Sequence, residues 1–301
     1  MGRAVEIEAD LGYIQEIRAY YDLSTPAYLK SVGTTIQSGL VEKGVVESAP
    51  NAEAARESNL YCASMAGIKP GDRVLDAGCG VCGPSIDIAS AIDRVRIDGI
   101  TLSFVQAKIG TGLVQEAGLA GAINVYIGDY HYLPFADGTY DVVLFLETAG
   151  YSYNMERLFS GVFNVLRPGG TLYIKDVFCR EGELTLAERA DLARFDRIYV
   201  YRTTTMSQLA TVLATTGFTD IRTGDLGRHD GSYEDAGQVA VGNRFYKGMI
   251  ETVGEKANLT EFGKLHAYNY SHLPIIFGEV LARRPATEGK GKEGRRAIQV
   301  I

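Results

Sequence analysis

The stretch Val74-Leu75-Asp76-Ala77-Gly78-Cys79-Gly80 constrains this chain more than any other. A short apolar run, Arg73 to Ala77, ends there in closely spaced glycines, and Pro84 to Ile92 follows with helical patterning. Strand, tight turn and helix are thus written in one short segment, and glycine lets such a turn double back and admit a ligand close to the main chain. The unit recurs downstream. Strands are predicted over 94–101, 122–127, 140–146, 171–177, 219–225 and 275–283, with helices over 103–117, 155–166, 184–201 and 206–216 between them. The run Tyr140 to Leu146 is apolar throughout, as a central strand covered on both faces has to be. Alternation of this kind predicts an α/β fold, a doubly wound, mostly parallel sheet of seven strands.

The 301 residues suffice for one such domain with additions. A helical cap is expected over 1–58, the α/β domain over 59–285 with inserted segments at 178–205 and 226–272, and a disordered tail over 286–301, where Glu288 to Arg296 is rich in glycine and charge. Within the cap, Ile7, Leu11, Ile14, Ile17 and Tyr21 recur at helical spacing. Ser24-Thr25-Pro26 predicts the end of that helix, 33–44 a loop, and 51–65 a second helix. A further helix is expected over 238–253. Apolar residues at 46% and charged residues at 22% are ordinary for a soluble protein, no apolar run is long enough to span a bilayer, and the acidic start does not read as a signal peptide, so a cytoplasmic location is expected. The four cysteines fit a reduced compartment, and Cys79 and Cys82, although spaced as CxxC, read as small packing residues in a nucleotide turn. A net charge of −7 argues against nucleic acid as a partner and weakens the case for a free diphosphate on any substrate.

Gly78, Gly80 and Gly83 satisfy the loose G-x-G-x-x-G pattern of dinucleotide turns. Asp76 points elsewhere. A carboxylate at the turn repels a pyrophosphate, whereas it attracts a ligand carrying an amino acid and a sulfonium cation. Glu147 closes the apolar run of the central strand, and a carboxylate buried there needs a partner or a task.

These segments together resemble the class I methyltransferases that use S-adenosylmethionine. Val74 to Gly83 resembles their first motif, Gly128-Asp129 with Leu133-Pro134-Phe135 the adenine-side motif, and Leu166-Arg167-Pro168-Gly169-Gly170 the turn before strand five; the resemblance covers about 59–282. Strand two ends in Gly99-Ile100-Thr101 rather than in the acidic residue that commonly grips the ribose. Gly99-Ile100-Thr101-Leu102-Ser103-Phe104-Val105-Gln106 is similar instead to the GITLSxxQ string of sterol, tocopherol and cyclopropane-type C-methyltransferases, where the glutamine sits at the ribose. Tyr20-Tyr21-Asp22-Leu23 resembles the YYDL segment of the sterol and mycolic-type enzymes, which folds over the cofactor, and Glu147 falls where sterol methyltransferases read IEAT.

The resemblance implies a cofactor shell of Tyr20, Ser38, Asp76, Gly78, Gly80, Thr101, Leu102, Gln106, Asp129, Tyr130 and Glu147, with Thr35 and Gln37 close to it, and no metal. Catalytic candidates are Glu147, beside a developing cation, with Tyr21, Tyr199 and Tyr201; Tyr151, Tyr153 and Asn154 fall near the same mouth. The aromatic stretch from Phe178 to Tyr270 supplies core and pocket without telling them apart, and His229, His266 and His272 read as structural. The expected activity is methylation of an isoprenoid double bond in a specialised metabolite, through a carbocation and with cyclisation as one outcome. The acceptor is then a hydrophobic, prenylated small molecule, and a detachable N-terminal helix leaves a homo-oligomer open. Methylation of oxygen or nitrogen on a small aromatic metabolite, and an inert cofactor-binding partner protein, are the alternatives.

Overall fold

The computed structural model describes residues 2–37, 52–227, 273–286 and 299–300. In chain order the elements are α1 (Gly2–Val32), α2 (Ala52–Ala66), β1 (Arg73–Ala77), α3 (Gly83–Ala91), β2 (Arg96–Thr101), α4 (Phe104–Glu116), β3 (Ile123–Ile127), β4 (Tyr140–Leu146), α5 (Met155–Val165), β5 (Leu166–Cys179), α6 (Leu186–Tyr199), α7 (Met206–Thr216), β6 (Thr219–Gly227), β7 (Ile275–Arg283) and β8 (Gln299–Val300). They form one sheet of order β3-β2-β1-β4-β5-β7-β6-β8. β1 to β5 run parallel, and β7 lies antiparallel between β5 and β6. Seven strands carry the expected mostly parallel, doubly wound fold; β8 adds a two-residue edge parallel to β6, so Gln299 and Val300 are paired where disorder was expected.

Both faces of the sheet are dry. Leu75, Val143, Phe145 and Ile174 point into one cluster with residues of α5, α6 and α7. Val74, Val142, Leu144 and Tyr173 point into the other with Cys62, Ala63 and Ile88 of α2 and α3. This alternation along fully buried strands is what parallel pairing under helices on both sides requires. The order reverses between β1 and β4, because the chain winds outward through β2 and β3 and then returns to β4. A crevice opens at the carboxyl ends of strands at such a switch point.

The expected break near Pro26 does not occur: α1 runs unbroken from Gly2 to Val32 with Pro26 inside it. A proline within a helix removes one hydrogen bond and crowds the preceding turn. Here tertiary packing overrides that preference, since Ser24, Thr25 and Ala27 around it are completely buried. The helix is also pinned along its length. Tyr13 donates to the Val200 carbonyl at 2.9 Å and Arg18 Nε to that of Leu102 at 3.1 Å. Asp22 Oδ1 accepts from the Ser103 hydroxyl and from the Val105 amide, so a carboxylate of α1 caps the N-terminus of α4. The strand before α6 also differs from expectation, because β5 starts at Leu166, pairs with Tyr140 and extends to Cys179. Residues 38–51 and 228–272, which hold Ser38, the expected helix 238–253 and all three of His229, His266 and His272, lie outside the described residues.

Replacing Asp22 by Ala removes both acceptor contacts at the α4 N-terminus. The expected loss is about 1 kcal/mol of unfolding free energy, measured by denaturant titration, with the midpoint lowered and the slope unchanged.

Candidate functional site

The cavity at the switch point is built by four turns and a roof. Its floor is the turn after β1, where Gly78 (φ 99°) and Gly80 (φ 54°) adopt left-handed backbone. The Gly78 and Cys79 amides both donate to the Ile100 carbonyl, at 2.9 and 3.1 Å, which anchors the turn to the end of β2. A Cβ on Gly78 would lie 2.5 Å from Thr148 Cγ2, so the turns after β1 and β4 touch through a glycine. Thr148 Oγ1 donates to the Ala77 carbonyl at 2.6 Å, and the Tyr130 hydroxyl donates to the Thr148 carbonyl at 2.9 Å. Floor, far wall and the turn after β3 are thereby stitched together.

Asp76, buried beneath this turn, accepts from Ser85 Oγ at 2.6 Å. Burial pushes its carboxyl up to about 6, against the lowering effect of the Ser85 bond. On the β2 side, Thr101 Oγ1 donates to Gln106 Oε1 at 2.8 Å, while the Ser103 hydroxyl caps α4 by accepting from the Gln106 amide at 3.0 Å. Gln106 is thus oriented from both its side chain and its main chain. The roof comes from the N-terminal segment: Ile17 and Tyr21 of α1, then Thr34, Ile36 and Gln37. It lies against the floor, since a Cβ on Gly83 would stand 2.3 Å from the Thr34 carbonyl oxygen.

The sequence-derived candidates separate into two groups. Tyr21, Asp76, Gly78, Gly80, Thr101, Leu102, Gln106, Tyr130 and Glu147 all line the cavity, as do Gln37 and Tyr151. Tyr20, Asp129, Tyr199 and Tyr201 do not. Tyr20 turns to the Tyr28 hydroxyl at 2.7 Å and packs edge-on against Tyr21 at 5.0 Å, supporting the roof from behind. Asp129 is engaged on both oxygens: Oδ1 meets His131 Nδ1 at 2.7 Å, and Oδ2 accepts from the Tyr153 hydroxyl at 2.8 Å. Burial alone would raise this carboxyl, but the bonds from His131 and Tyr153 hold it below its ordinary value. His131 continues to Ser152 Oγ at 2.9 Å and stacks on Tyr153 at 3.7 Å, so the cluster braces the turn after β3. Tyr199 packs on Phe195, with ring centres 4.8 Å apart. Ser38 lies outside the described residues.

Tyr201 stands one layer back from the cavity, edge-on to Tyr151 at 4.8 Å, and its hydroxyl donates to Asp176. Asp176, on β5, was not anticipated. It is buried and also accepts from the Ala149 and Gly150 amides at 2.9 and 3.3 Å, fixing the turn that follows Glu147. Burial pushes its carboxyl up to about 7; the Tyr201 bond opposes this and the Glu147 charge adds to it. The sequence signal was an acidic residue directly after Lys175 in an otherwise apolar strand. Tyr21 donates to the Tyr151 hydroxyl at 2.6 Å, and burial raises the Tyr21 phenol well above its usual range, so both hydroxyls are neutral partners in the wall.

Glu147 takes left-handed backbone (φ 56°), an uncommon and mildly costly choice for a residue with a side chain. Its Oε1 accepts from Lys175 Nζ at 2.7 Å. Lys175, fully buried in the middle of β5, was likewise missed. Cys79 and Cys82 are buried, unbridged packing residues, and no cluster with metal-ligand potential occurs among the described residues.

Comparison with known proteins bears on this geometry. Residues 75–174 match the family described as methyltransferase domain. The sequence is 30% identical over 158 residues to the sterol 24-C-methyltransferase of Aspergillus fumigatus, an alignment covering 52% of this chain and 41% of that protein. It is 30% identical over 156 residues to squalene methyltransferase 1 of Botryococcus braunii, covering 52% and 40% of the two chains. The chain therefore spans about two fifths of the length of these relatives. Among solved structures, the [4+2]-cyclase SpnF superposes with a TM-score of 0.74 at 24% identity, over 91% of this chain and 96% of that one. Geranyl diphosphate C-methyltransferase from Streptomyces coelicolor A3(2), in complex with Mg2+, geranyl-S-thiolodiphosphate and S-adenosylhomocysteine, gives 0.63 at 15%, over 90% and 98%. At those identities the structures establish the shared fold. Residues 75–174 are a methyltransferase domain with the class I fold, and S-adenosylmethionine is its cofactor. Sterol 24-C-methyltransferases of several fungi are among the relatives found by sequence.

The raised carboxyl of Asp176 predicts a signed pH effect. The folded protein binds this proton up to about pH 7, whereas the unfolded chain releases it near the ordinary value of 3.8. Between those values the folded state holds more protons, so the contribution of Asp176 to stability is greatest at the acid end and falls as pH rises, by at most about 1.4 kcal/mol per pH unit. Asp176→Asn should remove that slope. Unfolding titrations of wild type and variant across the window check it, and parallel curves would contradict the assignment.

Proposed function

We propose that this chain is an S-adenosylmethionine-dependent methyltransferase that transfers the methyl group to carbon, at an isoprenoid double bond of a prenylated or geranylated specialised metabolite. The observation carrying this reading is Glu147 at the carboxyl end of β4, lining the cofactor cavity beside Tyr21 and Tyr151. The sterol-type relatives support it at the level of carbon methylation.

In this reading Gly78, Gly80, Thr101 and Gln106 hold the cofactor over the floor, and α1 closes the roof. An alkene is a weak nucleophile, so alignment of its π bond with the sulfonium methyl supplies much of the acceleration. The π electrons form the new carbon–carbon bond as the sulfur–carbon bond breaks, giving S-adenosylhomocysteine and a tertiary carbocation on the acceptor. Loss of a proton, directly or after ring closure, restores neutrality. The carboxylate of Glu147 stabilises positive charge electrostatically, first on the sulfonium and then on the acceptor, while Tyr21 and Tyr151 wall the site and exclude water.

Incubation with methyl-labelled S-adenosylmethionine and a panel of prenylated and geranylated phenols and indoles tests the reaction class. Label on carbon, located by NMR, is expected; label confined to oxygen or nitrogen overturns the reading. Glu147→Gln should lower kcat about 10²-fold while the Kd for S-adenosylhomocysteine stays within about threefold.

A further inference from the structure

Lys175 occupies the middle of β5, between Ile174 and Asp176, and its side chain is completely removed from solvent. Nζ donates to Glu147 Oε1 at 2.7 Å and to Gln37 Oε1 at 3.1 Å. Gln37 in turn donates through Nε2 to Asn59 Oδ1 at 2.8 Å, and Asn59 Nδ2 donates to Thr35 Oγ1 at 2.9 Å and to Asp87 Oδ2 at 2.7 Å. Glu147 and Gln37 line the cofactor cavity, whereas Lys175 does not. The carboxylate therefore stands between the ammonium and the cavity, presenting the negative end of the pair to whatever binds there.

A buried ion pair seldom stabilises a fold better than an apolar pair of the same volume, so stability gives little reason for this one. The site gives a reason. A desolvated carboxylate takes up a proton near neutral pH unless an opposite charge stands within a few ångströms. Among the described residues, the other titratable groups shown to interact with Glu147, Asp176 on β5, Cys62 on α2, Tyr21 on α1 and Tyr201 after α6, are neutral or negative and do not supply that charge. Asp176 in particular opposes a second charge so close by.

We propose that Lys175 is a positioning residue that keeps Glu147 ionised and turned into the cofactor cavity, with Gln37 tying the pair to the segment that roofs the site. The proposal rests on the reading above, in which Glu147 faces the sulfonium, and it adds the group that makes such a role available.

Two cofactor analogues test it without an acceptor. Sinefungin carries a protonated amine where S-adenosylmethionine carries its sulfonium methyl, and S-adenosylhomocysteine is neutral at that point. The ratio of their affinities, measured by calorimetry on the full chain, reads the negative charge there. In the wild type the preference for sinefungin should stay flat from about pH 8 to about pH 6, whereas in Lys175→Met it should fall about tenfold as Glu147 takes up a proton. Lys175→Gln, which keeps a hydrogen-bonding side chain, should show the same slope and serves where the methionine variant does not fold; Lys175→Arg should stay flat. Glu147→Gln should give a low ratio, and any slope that it keeps is the contribution of Asp176, which is subtracted from the other profiles. Sinefungin profiles of Lys175→Met and Lys175→Gln that track the wild type overturn the proposal. If Glu147→Gln itself leaves the ratio at the wild-type value, the placement of Glu147 beside the sulfonium is wrong, which is a separate failure.

Discussion

Everything at the site depends on how closely the turn after β1 approaches the turn after β4. Thr148 seals that approach, filling the space left by the missing Cβ of Gly78 and bonding to the Ala77 carbonyl through its hydroxyl. With the two turns locked, the crevice at the switch point has fixed walls. Glycine is required at 78 for two reasons at once: its left-handed backbone and the contact itself. The same lock sets where Glu147 stands, because it immediately precedes Thr148, and the two amides after Thr148 are held by Asp176.

Much of the α/β frame was legible because local patterning and tertiary fate agree there. β1, β4 and β7 have the bounds that apolar runs and flanking turns predict, since strands covered on both faces must be apolar throughout. α1 was misread because Pro26 is a local breaking signal and the burial of Ser24, Thr25 and Ala27 is a long-range fact. The cavity floor was readable from Asp76 to Gly80 and from Thr101 to Gln106, where backbone conformation and short-range bonds do the work. Asp129, Tyr199 and Tyr201 show the opposite limit. Each carries suitable chemistry, yet none lines the cavity: Asp129 holds His131 and Tyr153, Tyr201 holds Asp176, and Tyr199 packs its ring on Phe195.

Lys175 and Asp176 were overlooked for a related reason. Charge in a predicted central strand looks like a flaw in the pattern, when it marks the place where the fold spends stability on something else. The two residues point to opposite faces of the sheet, as neighbours on a strand must. One reaches Gln37 and Glu147 on the α2 side, and the other reaches Tyr201 on the α6 side. Consecutive residues of one strand thus brace the cavity from both layers.

The backbone of Glu147 has a consequence for how this site can change. Because the residue sits in left-handed conformation and the turn after it is bonded to Asp176, the main chain fixes the direction in which its Cα–Cβ bond leaves the strand end. A shorter acid at this position draws the carboxylate back toward the main chain and lengthens its approach to Lys175, which meets Glu147 at 2.7 Å. Side-chain length at 147 therefore acts as a depth gauge. It sets how far charge projects into the cavity without any movement of the sheet.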